Sequence, residues 1–271
     1  MNKDQYFDLI KSYKYIANKS LGQNFLVNLS VAEKIVDSLD ISENDNILEI
    51  GAGLGSLSYF LTKSNAKTTL IDVDERMVNF LNEHFSNYEN ITIKRQNILK
   101  DDVSKYTKII GNLPYYITTG ILEYLLLNAT NAKRITLMTQ KEVYFKLIDK
   151  NNISPLTLLL RYVCSVSNQT LVGKSNFVPI PHVDSSYFYL DTNENIKDVR
   201  NKDVYLLMKK IFIHKRKNIL NCLTTIVKDK GFASKILLEL KTNENARPEQ
   251  LDIIFFFNLL KVLTDNNVVI K

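Results

Sequence analysis

The chain has 271 residues, 45% hydrophobic and 24% charged, which allows a full core with a smaller second unit and argues against disorder. Its 35 basic and 29 acidic residues give a formal charge of +6, an excess that suits a polyanionic partner and equally a solvated surface. Cys164 and Cys222 lie far apart without metal-ligand spacing, so neither a disulfide framework nor a metal site is expected.

Residues 1–19 mix polar, charged and aromatic side chains with no apolar core region, and no apolar run elsewhere reaches membrane-spanning length. A soluble cytoplasmic protein is therefore expected. In chain order, apolar residues recur at helical spacing over 31–39, and a buried strand over 47–50 runs into Gly51-Ala-Gly-Leu-Gly55 and a helix. A second strand covers 68–73 and carries Asp72, with a helix at 77–85. A short third strand spans 91–93, and a fourth spans 108–111, followed by a helix at 119–127. A fifth strand at 135–138 precedes a helix starting at Lys141. Alternating strands and helices imply a mostly parallel sheet covered on both faces. Strand candidates at 162–166 and 185–190, joined by a loop with Phe177, Pro179 and Pro181, suit an antiparallel edge. The polar stretch 191–201 reads as a boundary between an α/β domain, 1–191, and a helical domain, 192–271, with helices over 204–223, 234–240 and 249–263.

Gly51, Gly53 and Gly55 allow a tight turn and close approach of a ligand to backbone N–H groups, although a plain strand-to-helix connection would use the same glycines. Asp72, 21 residues beyond Gly51, ends the next strand, where a carboxylate can accept both hydroxyls of a ribose. This layout serves dinucleotide enzymes and S-adenosylmethionine methyltransferases alike. Glu49 favours the second, because a carboxylate there would repel a pyrophosphate but help to neutralise an ammonium and a sulfonium.

Asn112-Leu113-Pro114-Tyr115 points to the substrate. Pro114 fixes its own φ and holds Leu113 extended, so the tetrapeptide forms a stiff ledge. Adenine's exocyclic amine is a weak nucleophile, its lone pair being delocalised into the ring. Accepting its hydrogens on the Asn112 amide oxygen and on the Leu113 or Pro114 carbonyl localises that pair, and Tyr115 offers a face on which an extruded base can stack. Lys209, Lys210, Lys215, Arg216 and Lys217 fall within one predicted helix and suit either a phosphate backbone or solvent.

The tetrapeptide and Leu21-Gly22-Gln23-Asn24-Phe25-Leu26 together resemble the small-subunit ribosomal RNA adenine N6,N6-dimethyltransferase family, over nearly the whole chain. The resemblance implies a Rossmann-like S-adenosylmethionine-dependent fold, mostly parallel with an antiparallel edge, and a smaller RNA-binding helical domain. It implies dimethylation of two adjacent adenosines near the 3′ end of the RNA in an immature small ribosomal subunit, by a monomeric enzyme without metal. By position, Gln23, Asn24 and Leu26 match the family's N-terminal cofactor segment. Gly51, Gly53 and Gly55 match its glycine loop, and Asp72 with Val73 its ribose site. Asn112 and Tyr115 fall on the catalytic motif, and Asn112 is also among the residues the resemblance places against the cofactor. Phe177 is similar to an aromatic facing the target base opposite Tyr115, and 215–221 resembles a basic helix.

Asn97, beside Ile98, departs from the family's usual aspartate, which accepts from the cofactor's adenine amine; an asparagine oxygen can accept the same hydrogen, with weaker cofactor binding expected. The stretch 149–154 is shorter than the family's loop. Two rivals stand beside this expectation. Large-subunit ribosomal RNA methyltransferases of the macrolide-resistance type share the ledge, but tend to carry isoleucine at the position of Leu113. A non-catalytic ribosome-assembly factor on the same fold would not need Glu49, Asp72, Asn112 and Tyr115 together.

Overall fold

The computed structural model describes residues 3–12 and 21–268; the rest of the polar N-terminal stretch lies outside the described residues. The chain separates into two compact units, Met1–Leu147 with Cys164–Ile196, and Ile148–Val163 with Lys197–Lys271. The boundary thus falls a few residues after the expected 191, and an internal segment groups with the C-terminal helices.

The first unit opens with α1 (Lys3–Ser12), β1 (Phe25–Leu26) and α2 (Leu29–Asp37), and continues with β2 (Asn46–Ile50), α3 (Ser58–Leu61), β3 (Lys67–Asp72), α4 (Glu75–Phe85) and β4 (Ile91–Arg95). Then come β5 (Lys108–Asn112), α5 (Thr118–Asn128), β6 (Arg134–Gln140) and α6 (Lys141–Ile148). After α7 (Pro155–Val163), which belongs to the second unit, the edge is built from β7 (Cys164–Val166), β8 (Thr170–Val172), β9 (Phe177–Val178) and β10 (Ser185–Thr192). The main sheet runs β4-β3-β2-β5-β6-β10-β7, with β8 also on β10. Strands β4 to β6 are mutually parallel, and β10 is antiparallel to β6, β7 and β8. The middles of the central strands are mostly apolar because helices cover both faces. Ile47 and Leu48 on β2 and Ile109 and Ile110 on β5 are each fully buried. Asn28 caps α2 and Asp74 caps α4, each accepting from first-turn backbone N–H groups.

Two local readings are corrected here. The predicted strand at 162–166 begins at Cys164, because Tyr162 and Val163 end the leucine-rich helix α7 that Pro155 starts. The short pair β1–β9, Leu26 opposite Phe177, was not foreseen.

The second unit holds α7, α8 (Asn201–Phe212), α9 (Ile219–Val227), α10 (Lys230–Glu239) and α11 (Ile253–Asp265) around buried Leu207, Met208, Leu223, Phe256 and Leu259. The helix predicted over 204–223 is two helices. Asn218 caps α9 by accepting from the Asn221 N–H, and the Cys222 thiol donates to the His214 carbonyl of the turn at 3.5 Å. Lys209 and Lys210 therefore lie on α8, whereas Lys215, Arg216 and Lys217 are exposed in the α8–α9 turn, not on one basic helix. The two cysteines are buried thiols, and burial pushes Cys164 up to about 12.

Candidate active site

Parallel strands β3, β2 and β5 end side by side, so their C-terminal loops share one edge of the sheet, the place where open α/β sheets bind ligands. There the structure forms a cavity of about 890 Å³, counting its open mouth. Gln23, Asn24, Gly51, Gly53, Asp72, Val73, Asn97, Ile98 and all four residues of the ledge line it.

The glycine loop turns with φ +66° at Gly51 and +56° at Gly53, a region costly for other residues. Asp72 braces it: one carboxylate oxygen accepts from the Gly53 N–H at 2.9 Å, the other from the Asp74 N–H at 2.9 Å. Each oxygen keeps a lone pair for a ligand hydroxyl. Burial raises the Asp72 pKa, those backbone bonds oppose the rise, and the Asp74 charge adds to it. Val73 is 44% exposed although apolar, and it lines the cavity together with the buried Ile98, giving apolar surface fit for a flat ring. Asn97 stands beside it, its Oδ1 accepting from the Leu99 N–H at 3.0 Å.

The N-terminal segment laces this site together. Gln23 Nε2 donates to Asp74 at 3.0 Å, and Asn112 Nδ2 donates to the Asn24 carbonyl at 3.1 Å. That second bond fixes the amide rotamer, because only the NH2 end can donate, and it leaves Asn112 Oδ1 free to accept. On the ledge, the Leu113 N–H extends the β5–β6 ladder by donating to the Met138 carbonyl at 2.9 Å. The Pro114 carbonyl is occupied by the Ile117 N–H at 3.3 Å and the Thr118 hydroxyl at 3.0 Å. Of the two carbonyls considered from the sequence, the Leu113 carbonyl is the acceptor left available. Tyr115 is half-buried on the cavity wall, its phenol 2.8 Å from the Ser185 hydroxyl.

Four expected site residues lie elsewhere. Glu49 is 1% exposed and turned into the core, where the Ser58 hydroxyl donates to it at 2.7 Å; burial above all, then Asp72, pushes its pKa up to about 8. Glu49 is not among the residues that line the cavity. Gly55 is needed for packing: a Cβ there would sit 2.5 Å from the Phe85 ring and 2.7 Å from the Tyr6 hydroxyl. Leu26 is buried, and its carbonyl accepts from the Ser56 hydroxyl. Phe177 is 1% exposed within the same core cluster as Leu26 and does not line the cavity with Tyr115. Sequence reasoning missed Tyr116, which lines the cavity and is 62% exposed, its ring 3.1 Å from where a Cβ on Gly22 would lie. Its position beside the ledge was the available signal.

A parallel sheet with a glycine loop after β2, a strand-end acid on β3 and an Asn-Leu-Pro-Tyr ledge at the end of β5, the other neighbour of β2, defines a Rossmann-like methyltransferase. A model of the family described as ribosomal RNA adenine dimethylase matches residues 15–265, and the chain belongs to that family. It is 36% identical over 262 residues to the ribosomal RNA small subunit methyltransferase A of Mycoplasma capricolum, covering 91% of this chain and 98% of the relative. It is 31% identical to the protein of the same name from Streptococcus gordonii, covering 94% of each. The fold is similar to that of a dimethyladenosine transferase from Plasmodium falciparum, with TM-score 0.75, 24% identity and coverage of 89% and 98%. It is also similar to the 23S rRNA methyltransferase ErmE, with TM-score 0.61, 21% identity and coverage of 89% and 100%.

Proposed function

We propose that this enzyme transfers methyl groups from S-adenosylmethionine to N6 of two adjacent adenosines near the 3′ end of small-subunit ribosomal RNA, twice on each base. The observation that carries this is the Asn112 amide on the cavity wall, whose NH2 is taken up by the Asn24 carbonyl so that Oδ1 is left to accept, next to a Leu113 carbonyl with no bond from the backbone or side chains of the ledge. Two acceptors held on a stiff ledge take both hydrogens of an exocyclic amine and localise its lone pair toward an electrophile. This is polarisation by preorganised groups, and it needs no strong base.

The cavity fits the donor. S-adenosylmethionine bound there supplies a methyl group on an already activated sulfonium. Asp72 accepts the ribose hydroxyls, Val73 and Ile98 cover the adenine ring, and Asn97 accepts from its amine. Gly51 and Gly53 let the backbone approach the methionine end, and Gln23 and Asn24 close the cavity from the N-terminal side. Tyr115 receives the extruded target base by stacking, which contributes about 1–3 kcal/mol against the cost of unstacking it.

The helical unit carries the RNA contacts through Lys209 and Lys210 on α8 and Lys215, Arg216 and Lys217 in the turn that follows. The natural substrate is RNA within an immature small subunit in the cytoplasm, and the enzyme acts as a monomer during ribosome biogenesis. The names of the curated relatives support the small-subunit target over the large-subunit one.

The test is incubation with labelled S-adenosylmethionine and ribosomal subunits lacking adenine methylation, followed by base mapping in both subunits. N6,N6-dimethyladenosine at two adjacent small-subunit positions is expected. Label confined to large-subunit RNA, or RNA binding without label, would overturn the assignment.

A further inference from the structure

We propose that Ser185 is a positioning residue, its hydroxyl holding the Tyr115 phenol and thereby fixing where the ring on which the target base stacks lies along the cavity wall. This rests on the methyl transfer proposed above. The two oxygens are 2.8 Å apart, an ordinary hydroxyl–hydroxyl hydrogen bond that joins residues seventy positions apart in the chain.

Ser185 is a fixed anchor. It is fully buried on β10, level with Gln140 of β6 on one side and with Val172 of β8 on the other. The backbone beside it is pinned as well, since the Lys141 N–H donates to the Asp184 carbonyl at 3.2 Å. Tyr115 has the opposite character. It leaves the stiff Leu113-Pro114 step at the start of the turn before α5, and its half-buried ring forms part of the cavity wall. Two side-chain torsions orient that ring. The phenol oxygen lies on the axis of the second torsion, so a bond at the far end of the phenol restrains the first, the one that swings the ring, and its anchor belongs to the antiparallel edge rather than to the ledge.

The bond has a chemical reason to persist. Burial raises the Tyr115 pKa against the lowering effect of the Ser185 bond itself, with the Glu142 charge adding to the rise, so the phenol keeps its proton and either hydroxyl can donate.

The consequence is a coupling between two residues of which only Tyr115 touches the base. The experiment is a double-mutant cycle of Ser185→Ala, Tyr115→Phe and the pair, with kcat and KM measured on undermethylated small subunits and cofactor affinity measured by calorimetry. Each single change is expected to lower kcat about threefold to tenfold, the range of one net hydrogen bond, with cofactor Kd unchanged. The double variant should be no slower than the slower single one. Tyr115→Phe leaves β10 untouched, so it carries the test even if Ser185→Ala folds poorly. Wild-type kcat for Tyr115→Phe, or losses that multiply in the double variant, would overturn the positioning role while leaving the reaction intact. Absence of any dimethylation by the unmodified enzyme would overturn both.

Discussion

Glu49 and Asp72 stand on neighbouring parallel strands, one 1% and the other 8% exposed, and they do different work. Glu49 is level with Leu70 in the β2–β3 register, one pleat before Asp72. Side chains two residues apart share a face, so the two acids point the same way but stand roughly 7 Å apart along the strand direction. That distance separates core from site. Asp72 reaches the open edge, where it braces the glycine loop and meets the cavity; Glu49 remains within the layers, bonded to Ser58. An acid at a strand end is therefore a ligand-binding group only when it stands beyond the last covered pleat.

Replacing each acid in turn tests this difference. The largest effect is expected for Asp72→Ala, which removes the ribose acceptor and the brace on Gly53; calorimetry should show cofactor Kd weakened at least tenfold to a hundredfold, the range for bonds to a charged group. Wild-type affinity would place Asp72 outside the site. Glu49→Gln should leave cofactor Kd within about threefold and act on stability instead.

The sign of that effect follows from linkage. A carboxyl with pKa about 8 when folded, against 4.5 when unfolded, binds its proton more tightly in the folded state. Its stabilising contribution is full below 4.5 and is lost as pH rises to about 8. Thermal melts should show Glu49→Gln gaining on the parent protein across that interval and holding a constant lead above it. A constant difference at every pH would contradict the buried, protonated carboxyl. The smallest change is expected for Asn97→Asp, a severalfold tightening of cofactor binding by a stronger acceptor; unchanged or weaker binding would remove residue 97 from the adenine contact.

The parallel half of the fold was legible because its strands are short, largely apolar or β-branched runs, β2 and β5 marked by glycine, with helices between them, a local pattern. The ledge and Asp72 were legible for the same reason, each being placed by the strand that carries it. What escaped depended on distant partners. The β1–β9 pair joins two-residue strands about 150 residues apart, and nothing near Phe177 in the sequence distinguishes a core ring from a cavity wall. The α8–α9 turn carried a signal that the apolar periodicity overrode, since Lys215-Arg216-Lys217 followed by Asn218 is a charged turn ahead of a capping residue. The tie between Tyr115 and Ser185 could be found only once β10 was placed beside β6.

The central claim is that the Asn112 amide, turned by the Asn24 carbonyl, polarises the substrate amine rather than holding the cofactor. Single-turnover methylation of undermethylated small subunits by Asn112→Ala, with cofactor binding measured on the same preparation, tests it directly. The account predicts transfer slowed by about 10²- to 10³-fold with cofactor Kd changed only a few-fold. Near-normal transfer, or a loss explained entirely by failed cofactor binding, would contradict it.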